Sequence, residues 1–295
     1  MPLDQNLQLT VITPITALAN RLENLMSWLV RIEDKSIEVY LIHDISDAQT
    51  GPQLNELMKK LSNPKVHLIE GVYGSPGIAR NQAIKLARGE WVCFWDGDDL
   101  PIIDNVSELM DQKINESVDC IVASYIESDV KSNLKTHRKV GQDYEVSIGL
   151  NPGLWRFIFR KSSIYGTAFT NLRMAEDQLF LATYLNEQRQ LQIYPDYIYT
   201  YFKNQEFSLT RSRSALNDIA SASKVTLKIL NDSSESNSFI IGIMFARQIA
   251  TGIKRGNIKC KIQVIATMIK GVGFCKSNTR RFILRGIYTV LFKGN

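Results

Sequence analysis

Four short apolar runs divide the first hundred residues, and their spacing leaves few folds open. They are Leu9-Thr10-Val11-Ile12-Thr13, Val39-Tyr40-Leu41-Ile42, Val66-His67-Leu68-Ile69 and Trp91-Val92-Cys93-Phe94-Trp95. Each is too short for a helix and rich in β-branched or aromatic side chains, so each reads as a buried strand. Helical patterns fill the gaps. Leu22, Leu25, Met26 and Leu29 recur at helical spacing, and residues 53–61 read as a second helix. Ser75-Pro76 opens a third, with Ser as cap, Pro in the first turn and Gly89 as a left-handed stop. A helix over 106–114 and a strand at Cys120-Ile121-Val122-Ala123 continue the alternation. This order predicts an α/β domain whose mostly parallel central sheet is flanked by helices on both faces.

The second half is less regular. Residues 131–149 are polar and mixed, as in a hairpin or loop excursion, and residues 152–164 are aromatic and end near Arg160-Lys161. A helix is expected over 175–185 and a Tyr-rich strand over 194–202. Beyond that the character changes to helices, over 216–230, 239–254, 258–270 and 279–292, with a polar linker at 231–238. The expected division is a catalytic domain over 1–210 and a helical, basic region over 211–295.

Composition narrows the class. With 44% hydrophobic and 22% charged residues in 295, the chain reads as globular. No run approaches the roughly 18 apolar residues of a membrane span. No secretory signal is read at the N-terminus. Cys93, Cys120, Cys260 and Cys275 are widely spaced, which predicts reduced thiols and a cytoplasmic protein. The net charge of +5 hides an asymmetry: residues 254–295 hold ten Lys or Arg and no Asp or Glu.

In open parallel sheets, ligands bind beyond the carboxyl ends of the strands. Three polar signals fall there: Thr13-Pro14, Asp44, and the turn Asp96-Gly97-Asp98-Asp99. Three carboxylates in one turn repel one another. A hard divalent cation relieves that repulsion and can hold a diphosphate in return.

In this context the chain resembles the inverting glycosyltransferases of family 2, which have the GT-A fold, and in particular bacterial members that build surface polysaccharides. The resemblance covers roughly residues 7–210. It rests on Thr13-Pro14, Asp44, Gly77-Ile78-Ala79-Arg80-Asn81, the lead Ala87-Arg88-Gly89-Glu90-Trp91 into the Asp turn, and Ala175-Glu176-Asp177-Gln178. Trp155-Arg156-x-Ile158-Phe159-Arg160 and Ser208-Leu209-Thr210 resemble accessory segments. The chain departs from the family at His43-Asp44-Ile45-Ser46-Asp47, where many members have two adjacent acids and a Gly.

The resemblance implies a UDP-sugar donor held by Thr13, Pro14, Asp44, Arg80, Asn81 and Asp96. It implies Mn²⁺ or Mg²⁺ on Asp98 and Asp96, and Asp177 as catalytic base with Glu176 as the neighbouring alternative. A single displacement needs one base only. Trp155 and the Tyr-rich run are candidates for an acceptor platform, with core packing as the other reading. No Gln-x-x-Arg-Trp is present, which implies one sugar per acceptor. The acceptor is expected to be a glycan, lipid-linked in a surface-polysaccharide pathway. A nucleotidyltransferase is the alternative enzyme class, although residues 13–20 lack the Gly of a phosphate loop. A nucleotide-sugar-binding protein without activity is the non-enzymatic alternative.

The basic tail interleaves its cations with Ile, Leu, Phe and Val, which argues against nucleic acid. It reads either as an inner-leaflet membrane contact or as a helical subdomain that packs on the core or on a second subunit of a homo-oligomer.

Overall fold

The computed structural model describes residues 7–18, 21–204, 216–233 and 237–293. These form two compact units. One comprises the described residues of Met1–Gly141, Leu154–Gly166 and Gln190–Phe207; the other those of Gln142–Gly153, Thr167–Arg189 and Ser208–Asn295.

The first unit is built on a nine-stranded sheet in the order β3-β2-β1-β4-β8-β6-β9-β5, with β7 paired to β6. Its first four strands are β1 (Leu9–Ile15), β2 (Ile37–Asp44), β3 (Val66–Gly71) and β4 (Trp91–Phe94). All four run parallel. β1, β2 and β4 are buried along nearly their whole length, which explains their continuous apolar sequences. The helices α1 (Glu23–Leu29), α2 (Thr50–Leu61), α3 (Pro76–Ile84) and α4 (Ile103–Asp111) connect and cover them.

Beyond β4 the sheet becomes mixed. β8 (Phe157–Arg160) runs antiparallel to both β4 and β6 (Cys120–Asp129), while β9 (Leu191–Lys203) runs parallel to β6. The two-residue strand β5 (Leu100–Pro101) and the hairpin strand β7 (Lys135–Arg138) complete it. The polar stretch after residue 130 is therefore a hairpin arm followed by a short helix, α5 (Tyr144–Leu150), of the second unit.

One feature of the first unit corrects the sequence reading. Helix α3 stops at Ile84 and Lys85 keeps right-handed dihedrals, so Gly89 does not end it. Gly89 is needed for another reason: a Cβ there would lie 2.7 Å from the Thr10 backbone nitrogen. Its N–H donates to the Thr10 hydroxyl, which in turn donates to the fully buried Glu38 (2.9 and 2.7 Å). Arg88 completes this knot, donating to Glu38 through its backbone N–H and its Nε, each at 2.7 Å. The Arg88-Gly89 lead into β4 thus clamps the amino ends of the strands, opposite the Asp turn.

The second unit is helical: α5, α6 (Glu176–Leu185), α7 (Leu216–Asp232), α8 (Ser238–Arg255), α9 (Ile258–Phe274) and α10 (Ser277–Lys293). Helix α8 is its centre, buried along most of its length, and Gly149 of α5 rests directly on Ile243. The Ser208-Leu209-Thr210 segment and part of the expected linker lie outside the described residues.

Candidate active site

Parallel register brings the polar strand ends of the first unit to one edge. Ile12 pairs with Phe94, and Ile15 with His43. Thr13 and Pro14, Asp44, and the turn after β4 therefore finish at nearly the same level.

The Asp turn is braced from both sides. Gly97 packs so closely on the loop after β1 that a Cβ would come within 2.6 Å of Leu18 and 2.8 Å of Ile15. A side chain larger than hydrogen would push the turn away, which accounts for Gly between the two Asp residues. Asp99 is buried at 1% exposure and points back to β9, accepting from the Phe202 N–H (2.8 Å) and the Tyr199 hydroxyl (3.1 Å). The same hydroxyl accepts from the Asp96 N–H at 3.0 Å. Burial, then the charges of Asp99 and Asp96, push the Tyr199 phenol well up, so it stays protonated and able to donate. Burial, then the charges of Asp96 and Asp98, also push the Asp99 carboxyl well up. Asp99 is thus the anchor of the turn.

Asp96 and Asp98 are the partly exposed carboxylates of the turn. Asp96 pairs with Arg80 (3.1 Å), whose guanidinium is nearly buried while the Asp96 side chain is 41% exposed. Arg80 and Asn81 sit in α3, whose Ser75 cap accepts from the Ile78 N–H and whose Pro76 fits the first turn as predicted. Asp98 is held by Asn24, which donates to its backbone carbonyl (2.9 Å), and lies 3.4 Å from Arg21. Burial, then the neighbouring Asp96, raises its carboxyl, and Arg21 only partly offsets this.

Two carboxylates with charge left to neutralise suit a hard divalent cation. Among the described residues no group of three His, Cys, Asp or Glu converges to make a closed cage. Mg²⁺ and ions like it are typically held by one or two carboxylates together with substrate phosphates, so the donor set fits.

Asp44 sits at the end of β2 with all four acceptor positions engaged. The Ser46 N–H and hydroxyl donate to one oxygen (3.0 and 2.7 Å), and the Tyr73 and Gly74 N–H groups to the other (3.2 and 2.8 Å). Burial alone would raise this carboxyl, but the bonds from Ser46, Gly74 and Tyr73 outweigh it and hold it below its ordinary value. Asp44 therefore ties the loop after β2 to the loop after β3. Asp47 does the same between β1 and α2: it accepts from the Ala17 N–H at 2.6 Å and from the Thr50 hydroxyl. Thr13 is fully buried and its hydroxyl has no partner among the described residues, while Pro14 is partly exposed.

Trp155 lies in the core at 8% exposure. Its indole stacks on Tyr199 and Tyr201 (5.2 and 5.4 Å) and meets Tyr125 edge-on (4.3 Å). These contacts pack Trp155 among the aromatic side chains of β6 and β9. His137 is exposed on β7 and meets Tyr197 edge-on.

Glu176 and Asp177 belong to the helical unit. They form the first turn of α6, with Glu176 at 8% exposure and Asp177 less buried. The preceding Ala175 has φ +67°, a left-handed conformation costly for a residue with a Cβ. The Gln178 N–H donates to the Asp177 carboxylate at 2.8 Å. Sequence reasoning missed Arg21, Asn24 and Tyr199. Arg21 and Asn24 carry no motif in the sequence, and Tyr199 is one of four tyrosines in β9.

The glycosyl transferase family 2 model matches residues 10–180, more than half of the chain and all of the residues just described up to α6. The chain belongs to glycosyl transferase family 2. It is 21% identical to the uncharacterized glycosyltransferase EpsJ of Bacillus subtilis (strain 168), over 66% of this chain and 61% of EpsJ. It is likewise 21% identical to the glycosyltransferase GlyG of Streptococcus pneumoniae serotype 4, over 70% of this chain and 76% of GlyG. The chain thus spans less than two thirds of the length of EpsJ. Among solved structures, S. aureus TarS 1-349 in complex with UDP-GlcNAc shares the fold at a TM-score of 0.64 and 18% identity, covering 98% of this chain and 92% of that one. The mannosyltransferase PcManGT of Pyrobaculum calidifontis, in complex with GDP-Man and Mn²⁺, does so at 0.56 and 15%, covering 98% and 88%. At these identities the likeness establishes the GT-A-type α/β fold.

Proposed function

We propose that this family 2 member transfers one sugar from a UDP-sugar to a hydroxyl of a glycan acceptor, with inversion, in the assembly of a surface polysaccharide. The observation that carries the reading is the Asp96–Asp99 turn. It is locked by Tyr199 and Gly97 yet leaves Asp96 and Asp98 as carboxylates beside Arg80 and Arg21.

Asp98 and Asp96 would hold Mn²⁺ or Mg²⁺, whose chemistry there is to offset negative charge on the departing UDP. Arg80 and Asn81, in the second turn of α3, favour the same diphosphate through charge and hydrogen bonding. Thr13 and Pro14 back the donor side of the turn. Asp44 shapes the loops that receive the base. Its four bonds at the strand ends give those loops one conformation before the donor arrives, which lowers the entropy cost of binding.

Asp177 takes the proton of the acceptor hydroxyl as that oxygen bonds to the anomeric carbon. The bond from that carbon to the UDP oxygen breaks, and the configuration inverts. Asp177 is the better base of the pair because Glu176 is the more enclosed. Trp155 serves by holding Tyr199. The TarS complex with UDP-GlcNAc supports the choice of a uridine donor, whereas PcManGT holds GDP-Man, so the base is the point to test.

The test is nucleotide release from UDP-Glc, UDP-Gal, UDP-GlcNAc, UDP-GalNAc and GDP-Man with Mn²⁺. UDP release from one of the first four supports the reading. GDP release from GDP-Man alone would overturn the donor assignment.

A further inference from the structure

We propose that α9 and α10 form a docking face for an anionic lipid surface. The sorting of side chains on these two helices is reversed. Helix α9 buries Cys260, Val264, Thr267 and Gly271, mostly small residues. Ile258, Ile262, Ile265 and Ile269 each stand two positions before one of these. At about 100° per residue, two positions place them on the opposite side of the helix. All four are exposed, Ile258 at 78%.

Helix α10 repeats the pattern. It buries Thr279, Ile283, Gly286 and Thr289, and turns Leu284, Tyr288, Leu291 and Phe292 outward. The small residues allow close packing: a Cβ on Gly271 would lie 2.7 Å from Ile283, and one on Gly242 of α8 would lie 2.6 Å from the Phe282 carbonyl. The large apolar side chains are thus left for another partner. Exposed apolar rows of this size mark interaction surfaces.

Charge identifies that partner. Residues 254–295 hold ten Lys or Arg and no acid. On α9, Lys259 and Lys270 flank the isoleucine row on one side and Lys261 on the other, by the same rotation of about 100° per residue. On α10, Arg280, Arg281 and Arg285 line an open surface depression that also includes Leu284. An apolar row bracketed by cations suits an interface where the row enters the acyl boundary and the cations reach lipid phosphates. A second copy of the same face would set like charges against one another. No helix among the described residues is long and apolar enough to cross a membrane, so the contact proposed lies in the plane of the surface.

The inference stands apart from the donor-site reading, and its test does not use activity. The full chain is sedimented with vesicles of phosphatidylglycerol mixed with phosphatidylcholine, and with phosphatidylcholine alone. Binding is expected to the anionic vesicles only, and to be released by salt. Lys259→Gln with Lys270→Gln should weaken it about 30-fold, two charges at the usual strength per cation. Ile262→Ser with Ile269→Ser should abolish it, with helical circular dichroism and melting unchanged because both sites are exposed. The proposal is overturned if the wild-type chain stays in the supernatant, if it binds both vesicle types equally, or if the isoleucine variant folds and pellets as before. It is also overturned if light scattering shows a dimer that the isoleucine variant dissociates while vesicles are ignored, which would make the occupant a second copy.

Discussion

Tyr199→Phe isolates the hydrogen bonds that hold the Asp turn from the packing around them. Phenylalanine keeps the stack on Trp155 at 5.2 Å and removes only the hydroxyl. Two buried groups then lose a partner: the Asp96 N–H, 3.0 Å away, and the Asp99 carboxyl, 3.1 Å away. Tyr199 is fully buried and Asp99 is 1% exposed, so water cannot readily replace the hydroxyl. The unpaired Asp96 N–H costs roughly 1–3 kcal/mol, and Asp99, which keeps the Phe202 N–H, adds about 1 kcal/mol, for about 2–4 kcal/mol together. For a unit of this size that is a fall of about 10 °C in Tm. Because the same bonds set the turn, donor affinity should also drop, by tenfold or more, even at temperatures where the variant is fully folded. Differential scanning calorimetry and UDP titration calorimetry measure the two effects. A variant that melts within a degree or two of wild type and binds UDP equally would refute the idea that Tyr199 organises the turn.

Arg88→Ala should destabilise the chain by roughly 2–3 kcal/mol in urea unfolding, because Glu38 is left buried with fewer donors. The loss stays below the 3–5 kcal/mol of a fully enclosed pair because Arg88 is 40% exposed and water can follow it in. Adding Glu38→Gln should recover part of it; no recovery would mean that the arginine acts through packing alone. Asp44→Asn should lower stability at neutral pH. The Asp44 carboxyl is held below its ordinary value, so its contribution is complete above that ordinary value and disappears as pH falls through the lowered folded one. The gap between wild type and Asp44→Asn in urea midpoint should therefore narrow as pH falls below the ordinary Asp range, about 4, and a gap that widens there would contradict the bonding described.

The parts of the fold written in local pattern were legible. The strands at Leu9, Val39 and Trp91 are continuous apolar runs because parallel strands are covered on both faces, and Ser75-Pro76 is a helix start under any tertiary context. Gly89 was misread because its requirement is tertiary: the Thr10 backbone, 79 residues earlier in the chain, leaves no space for a side chain. The same holds for Asp99, which looks like a third outward carboxylate in sequence but turns inward to β9. Trp155 could not be assigned, since a stacking aromatic has one composition whether it meets a sugar or Tyr199. Arg21 carries no periodic signal, and only the tertiary fold brings it to Asp98. The exposed isoleucines of α9 were equally hidden, because periodicity alone cannot say which of two apolar stripes faces inward.

The division of labour between Asp98 and Asp177 is tested most directly by measuring donor binding and sugar transfer side by side on Asp98→Asn and Asp177→Asn. Asp98→Asn should lose Mn²⁺-dependent UDP-sugar binding by tenfold or more. Asp177→Asn should bind donor as wild type does and lose transfer by roughly 10²–10⁴-fold, the usual contribution of a general base. Normal transfer by Asp177→Asn, or unchanged metal-dependent donor binding by Asp98→Asn, would contradict the assignment.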